Sequence, residues 1–455
     1  MTTMTTATDK AAGVSGGGVA ARLTAGFGDA AAASPAWLAE LRRKGAERFA
    51  ALGVPTTKHE DWKYTSLREL EKWEVGPASE LSSPVSAGQV DGLRMGVDAA
   101  ARIVLVDGVY QPELSDVGEL PAGVTVCTLA EAVERDEPGV REELGKQLDF
   151  TGDAFGALNT AMMADGVFVR AAKGVKLEKP VLLMRVASPT ERPVASHPRS
   201  LVIAEEGSEL TMVDDGISLV ENAYLTNSAA EIVVGDNARV EHYYVERESR
   251  SSVCVSTRCV RVGRDGRFVS HAGLIGGRVC RNNIRPTLTG ENGDVILNGF
   301  FLPGLDQVLD SAMFVRHEAP HCTSRQFYKG IGLDNGRGVF TGRIYVVREA
   351  QKTDAIQSND NLLLSGEADV KARPQLEIYA DDVRCTHGST IGQLDEEALF
   401  YLRARGVPEE AARATLVSAF ARENLERMEL EPVRDWCARV ALGRLPGHDL
   451  IDLDL

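Results

Sequence analysis

What the chain lacks narrows its function before any motif is read. No Cys-x-x-Cys pair occurs among its seven cysteines: Cys127, Cys254, Cys259, Cys280, Cys322, Cys385 and Cys437. A zinc ribbon or a thioredoxin-type redox site is therefore not expected. An odd number of scattered thiols in a 455-residue chain reads as reduced cysteine in a cytoplasmic setting. Gly-x-x-x-x-Gly-Lys-[Ser/Thr] is missing, so this chain binds no nucleotide through a P-loop, and any ATP used belongs to a partner. Positive charge is short: 50 Lys and Arg face 66 Asp and Glu, a formal charge of −16, the wrong sign for a nucleic-acid surface. No run of roughly 18 apolar residues occurs, so no membrane span is expected. The start, MTTMTTATDKAAGVSGGGVAA, has no apolar core of a secretory signal. Residues 1–20 are expected to be disordered.

What is present falls into three textures. Residues 21–160 read as a helical region with a short β element. SPAWLAELRRKGAERFAAL suggests a helix with Ser34 as N-cap and Pro35 at its first position, and Trp37, Leu38, Leu41 and Phe49 fall near a 3.6-residue period. In HEDWKYTSLREL, Ser66 and Glu69 have capping-box spacing, and Trp62 and Tyr64 read as packing residues beside it. Residues 76–100 read as a linker, RIVLVDGVY (102–110) as a strand and turn, and 128–148 as charged helix.

From 161 to 390 the helical period fades. Short apolar strands such as SLVIAEEGSELTMV, AEIVVGDNARVEHYYVE and GVFTGRIYVV alternate with polar turns. Turn glycines (Gly174, Gly207, Gly235, Gly266, Gly293, Gly336 and Gly366) recur mostly at about 30 residues, the size of a solenoid coil. A parallel β-solenoid leads on this spacing; a β-sandwich or jelly roll would give the same short strands. Gln357, Asn359 and Asn361 alternate, so one strand face carries all three, either as amides stacked between coils or as a solvated face.

Residues 391–445 turn helical again. QLDEEALFYLRAR runs to Gly406. Pro408 opens a second helix with Leu416, Phe420 and Leu425 on its apolar side. EPVRDWCARVALGRL makes a third, with Val433, Trp436, Cys437 and Val440 on one face.

The segment that most resembles a reactive site is DDVRCTHGST (381–390). If the strand PQLEIYADDVRC continues, Cys385 and His387 share a face. Thiolate and imidazole suit iron, zinc or copper, but two ligands make an incomplete site that another chain must finish. A nucleophilic dyad would need an oxyanion hole that no motif supplies, and plain packing is the third reading. HEAPHC (317–322) gathers His317, Glu318, His321 and Cys322, but a turn at Pro320 scatters them. His242 and His271 read as structural histidines, and Cys254, Cys259 and Cys280 as buried strand residues.

Several long segments, in order, resemble the SufB/SufD family of the Suf iron–sulfur cluster assembly system. They are HEDWKYTSL (59–67), FGALNTAMMADGVFVRAAKGVKLEKPVLL (155–183), RGVFTGRIYVVREAQKTDAIQSNDNLLL (337–364) and RPQLEIYADDVRCTHGSTIGQLDEEALFYLRARG (373–406). ADDVRCTHG (380–388) and EDWKYT (60–65) look like SufD-type rather than SufB-type subunits. The resemblance implies a right-handed parallel β-helix between helical ends. It implies a non-catalytic scaffold, with a SufB-type subunit at the end of the β-helix and a SufC-type ABC ATPase on the C-terminal helices. Leu394, Leu399, Phe400, Tyr401 and Phe420 are the residues it marks for that ATPase. Iron, or a nascent iron–sulfur cluster shared with SufB, is expected at Cys385 and His387, and a homodimer where SufB is absent. A SufB-type paralogue is the nearest alternative, and a free-standing β-helix enzyme a more distant one. A purely structural docking subunit is a third. The tail PGHDLIDLDL (446–455) lies outside the resemblance.

Overall fold

From Val167 onward the chain passes back and forth between two parallel sheets. This is a computed structural model, and it describes residues 17–78 and 82–445. Each sheet has 11 strands. The first contains Val167–Ala171, Arg199–Ala204, Leu225–Val234, Val253–Val262, Val279–Leu288, Val308–His317, Arg337–Val346 and Asp369–Ile378. The second contains Val181–Ala187, Glu209–Ser218, Arg239–Arg247, Arg267–Leu274, Asp294–Phe301, Thr323–Gly332, Asp354–Leu363 and Arg384–Gly392. In the second sheet Glu209, Arg239, Arg267, Asp294, Thr323, Asp354 and Arg384 are successive register partners, so each coil takes 27 to 31 residues. This is the β-solenoid that the glycine spacing favoured over a sandwich.

The turns work differently from the expectation. Gly174 and Gly207 do adopt the left-handed backbone, with φ of 74° and 68°. In later coils that conformation passes to Asn237, Asp265, Asn292, Asp306 and Asp334, polar residues that tolerate it. The neighbouring glycines serve close approach instead. A Cβ on Gly336 would lie 2.4 Å from the Pro303 carbonyl oxygen of the preceding coil. Inward rows are apolar along much of the stack: Val202, Ile232, Val260, Phe268, Leu288, Val295, Leu297 and Phe340 are all buried. Each such side chain contributes about 1.5–3 kcal/mol on leaving water.

One end of the solenoid is capped. Val124–Thr128 pairs antiparallel with Val167–Ala171. Ala101–Val106 extends the second sheet and pairs on its far side with the antiparallel pieces Val109–Tyr110 and Asp116–Val117. Helices pack beside this end. Ala36–Leu52 crosses Ala154–Met162 closely enough that a Cβ on Gly45 would lie 2.8 Å from the Ala157 carbonyl oxygen. The start of FGALNTAMM is thus a buried helix rather than a coil of the solenoid. Asn159 of this helix accepts from Arg199, and Arg199 pairs with Glu231 at 2.6 Å, which ties the helix to the first sheet.

Three local expectations in this region need correction. Ser34 does not cap Ala36–Leu52; Pro35 holds the cap position, and the Ser34 hydroxyl donates to the Ala30 carbonyl. Ser66 does not box with Glu69; the short helix Glu69–Lys72 begins after Arg68 with no side-chain cap. The disorder expected for 1–20 fails at its end, because Gly17–Leu23 is helical and Val19 is buried. Residues 1–16 and the tail 446–455 lie outside the described residues. The 76–100 linker contains the strand Gly76–Pro77, paired with Val194 and Ala195, and the helix Ala87–Asp91.

Glu396–Ala404, Glu409–Leu425 and Glu431–Gly443 form the C-terminal helices. They fold back over the outer face of the second sheet. Asn424 Nδ2 donates to the Phe327 carbonyl, the Leu430 amide to Tyr243 Oη, and Arg444 to the Ile275 carbonyl. The buried side of the middle helix is Ala412, Ala414, Val417, Ala421 and Leu425. Leu416 and Phe420, expected there, are only partly covered. Small residues let the helix approach closely, and alanine gives a weak apolar signal.

Candidate functional site

The helices cross the middle coils and leave the far end of the solenoid open. Among the described residues the last strand, Arg384–Gly392, pairs only with Asp354–Leu363. Asp369–Ile378 is likewise the outermost strand of the first sheet. Both therefore present one row of unpaired backbone groups.

The register fixes which side chains line this end. Ala355, Gln357, Asn359 and Asn361 are buried and form the inward row of their strand, whereas Ile356 faces out. Cys385 pairs with Ala355 and His387 with Gln357. Thiol and imidazole are therefore neighbours on the inward row, as alternation predicts, but PQLEIYADDVRC does not continue as one strand: Asp369–Ile378 ends before a turn, and Arg384–Gly392 belongs to the other sheet. Cys385 is half-covered by a cluster of Ile344, Val346, Ala350 and Ala355, while His387 is exposed. Burial pushes the Cys385 thiol above its ordinary range, against a lowering by the Ala355 backbone hydrogen bond. A metal, by contrast, would need the thiolate. Among the described residues no third ligating side chain joins the pair. Next to it the interior itself lies bare: Ile391 and Ile378, the register partners of the inward Asn361 and Val346, are 48% and 37% exposed.

The amides beneath this end stack between coils, the first of the two readings left open by the sequence. Gln357 Nε2 donates to Gln326 Oε1 at 2.8 Å, and Asn361 Nδ2 donates to Asn359 Oδ1 at 2.7 Å and to the Thr390 carbonyl at 3.0 Å. They hold the last three coils of the second sheet in register. HEDWKYT also reaches this end. Trp62 lies against Phe155 and under Arg281, and Arg373 of the outermost strand pairs with Glu60. Trp62 packs on the solenoid, not at a helix start.

HEAPHC is scattered by its turn, as expected. His321 sits at φ 59° and is exposed. His317 is buried against Ser324 Oγ, with burial pushing its pKa down to about 4. Cys322 Sγ donates to the Gly290 carbonyl. His242 and His271 are buried, with pKa values pushed down to about 3 and about 4 by burial.

Sequence reasoning missed a charged cluster inside the solenoid. Ligating atoms of Glu246, Glu248 and Cys254 lie within 4.8 Å of one another, fully buried. Arg185 meets Asp214 at 2.7 Å and Glu248 at 3.0 Å. Glu246 accepts from Tyr244 Oη and from the Glu248 amide; Glu248 accepts from Thr226 Oγ1 and Cys254 Sγ. Burial, and then the nearby Glu248, push the Glu246 carboxyl up to about 8. Apart from Arg185 Nη2, which faces Glu246 at 3.6 Å without a hydrogen bond, the donors close the network on itself, so it reads as a structural core of charge. The only sequence signal was its placement: acids at strand ends that alternate inward.

Of the residues marked for the ATPase, Phe400 and Tyr401 are 71% and 56% exposed on the first C-terminal helix. Leu399 is buried within the helical unit, and Leu394 and Phe420 are partly covered.

A solenoid capped at one end and bare at the other, with helices docked on its side, defines a class: β-solenoid proteins with helical ends. The comparisons specify it. Residues 29–183 match the family model "SufBD protein N-terminal region", and 186–420 match "SUF system FeS cluster assembly, SufBD core domain". The chain is 34% identical to the iron–sulfur cluster assembly protein SufD of Escherichia coli, over 87% of this chain and 90% of that protein. It is 30% identical to a SufBD family protein of Synechocystis, over 86% and 88%. It is also 30% identical to the chloroplastic protein ABCI7 of Arabidopsis thaliana, over 92% and 89%. The chain belongs to the SufBD family of iron–sulfur cluster assembly proteins, as a SufD-type member.

Proposed function

We propose that this chain is the SufD-type scaffold of a SufB–SufC–SufD complex, and that its open solenoid end pairs with a SufB-type subunit. The observation that carries the reading is the bare terminal coil. Unpaired strand edges, an uncovered interior at Ile391 and Ile378, and Cys385 beside His387 meet in one place. A second solenoid added there would pair the edges, cover the interior and bring the missing ligands. Iron or a nascent cluster is then the cargo of the junction, held by one thiolate and one imidazole from this side. Phe400 and Tyr401 are the contact for a SufC-type ATPase, which supplies ATP hydrolysis. Its cycle acts on the junction by favouring one arrangement of the two solenoids. The work is assigned to the cytoplasm; no described helix is long and apolar enough to cross a membrane.

The test is co-expression with SufB-type and SufC-type partners and anaerobic purification, comparing wild type with Cys385→Ala and His387→Ala. Both variants are expected to assemble the complex and to lose iron and cluster content. Normal iron content and cluster maturation in both would sink the site. Failure of the wild-type chain to form a complex would sink the scaffold reading.

A further inference from the structure

Arg42 is a buried cation with no carboxylate. It projects from the helix Ala36–Leu52 and is 6% exposed. Nε donates to Ser34 Oγ at 2.9 Å, and Nη1 donates to the Ala161 carbonyl at 3.1 Å. Among the described residues Nη2 has no hydrogen-bond partner, and no acid pairs with this guanidinium. Ala161 lies in the last turn of Ala154–Met162, so one contact caps a helix C-terminus. A helix terminus offers about half a charge, less than a guanidinium needs once it leaves water.

The same side chain lines a cleft of about 530 Å³. Its walls are mainly apolar: Pro35, Leu38, Leu129, Val133, Leu144 and Met163. One acid, the exposed Glu134, stands at the rim without pairing with Arg42. The volume is within the range of small-molecule sites, and one convergent polar group in an apolar cleft is their usual pattern.

We propose that this cleft binds a single-chain alkyl carboxylate, with its headgroup on Arg42 Nη2 and its chain along Leu38, Leu129, Val133 and Met163. A cap alone explains Nη1 and leaves Nη2 and the cleft unexplained. A neutral apolar ligand would leave the buried charge uncompensated. A phosphate-bearing ligand would call for more cations, and no second Arg or Lys lines the cleft. A planar guanidinium edge suits a carboxylate. This site lies among the N-terminal helices, and the inference does not depend on the function proposed for the solenoid end.

The test is calorimetric titration of the full chain with decanoate and with decanol. Decanoate is expected to bind one per chain, and decanol at least about tenfold more weakly. Arg42→Gln is expected to remove that preference. Ala130→Trp, a substitution at an exposed position lining the cleft, is expected to abolish binding of decanoate while the thermal midpoint stays near wild type. Should Arg42→Gln fail to fold, Ala130→Trp and the decanol comparison decide. Equal binding of decanoate and decanol, no saturable decanoate binding below about 1 mM, or unchanged binding in Ala130→Trp would each overturn the proposal.

Discussion

His387 stands one coil beyond Gln357 on the same inward row, and Gln357 in turn donates its amide to Gln326. The imidazole therefore extends a buried polar stack past the last point at which this chain can bury it. A stack that ends in solvent is a surface prepared for continuation.

That surface predicts self-association when the chain is alone. Ile391 faces inward over Asn361 yet is 48% exposed. Exposed apolar residues on an unpaired edge favour strand pairing between copies. Sedimentation velocity of the isolated wild type should show a dimer that grows with concentration. Ile391→Lys should shift it to monomer, with stability changed by no more than about 0.5 kcal/mol, the usual range for an exposed site. A wild type that stays monomeric at all concentrations would count against the open end.

How much of this was legible in sequence depends on the range of the interaction. The pairing of Cys385 with His387 on one face was readable, because strand alternation is a two-residue property. The stacked amides were readable for the same reason. That Arg384–Gly392 ends the solenoid followed from the helical texture beyond 391, but that its edge stays uncovered did not, since it depends on where the C-terminal helices fold back. The Arg185–Glu248 network was invisible because charged residues in strands normally signal a wet face. Ser34 looked like a cap because the local pattern allows it, but its hydroxyl is engaged by Ala30 and Arg42.

Gly342 tests the amide stack from the opposite sheet. A Cβ there would lie 1.9 Å from Gln357 Nε2, with no room for both. Gly342→Ala should push Gln357 away from Gln326 and cost about 1–3 kcal/mol, the range for overpacking. Urea denaturation with an unchanged slope would measure it. A variant as stable as wild type would mean that the stack yields easily.

Lys329 predicts how the helical unit is held. It is 4% exposed, pairs with Glu423 and sits 4.0 Å from the Phe420 ring centre. Glu423 is 59% exposed, so solvent screens the ion pair and the ring contact carries more of the effect. Lys329→Ala should weaken docking of Glu409–Leu425 by about 1–2 kcal/mol, and Lys329→Met by less because it keeps the packing. Faster amide exchange confined to the C-terminal helices would be the signature. Exchange that rises equally across the solenoid would assign Lys329 to the β core instead.

Stability should peak near pH 6.5 and fall on both sides, for opposite reasons. His197, His242, His271 and His317 are buried and neutral, with pKa values pushed down to between about 3 and about 4 from an ordinary 6.5. As pH drops below 6.5 the unfolded chain takes up those protons first, so stability falls until the folded-state values are passed. Glu246 runs the other way. Its carboxyl is raised from an ordinary 4.5 to about 8, so the folded chain keeps a proton that the unfolded chain releases. Its contribution is fully present below 4.5 and is lost as pH rises toward 8. Glu246→Gln removes this slope and leaves the histidine side intact. Thermal midpoints from pH 4 to 9 should show the variant gaining on wild type steadily between 4.5 and 8. Parallel curves across that window would mean that Glu246 is already ionised in the folded core, balanced by Arg185.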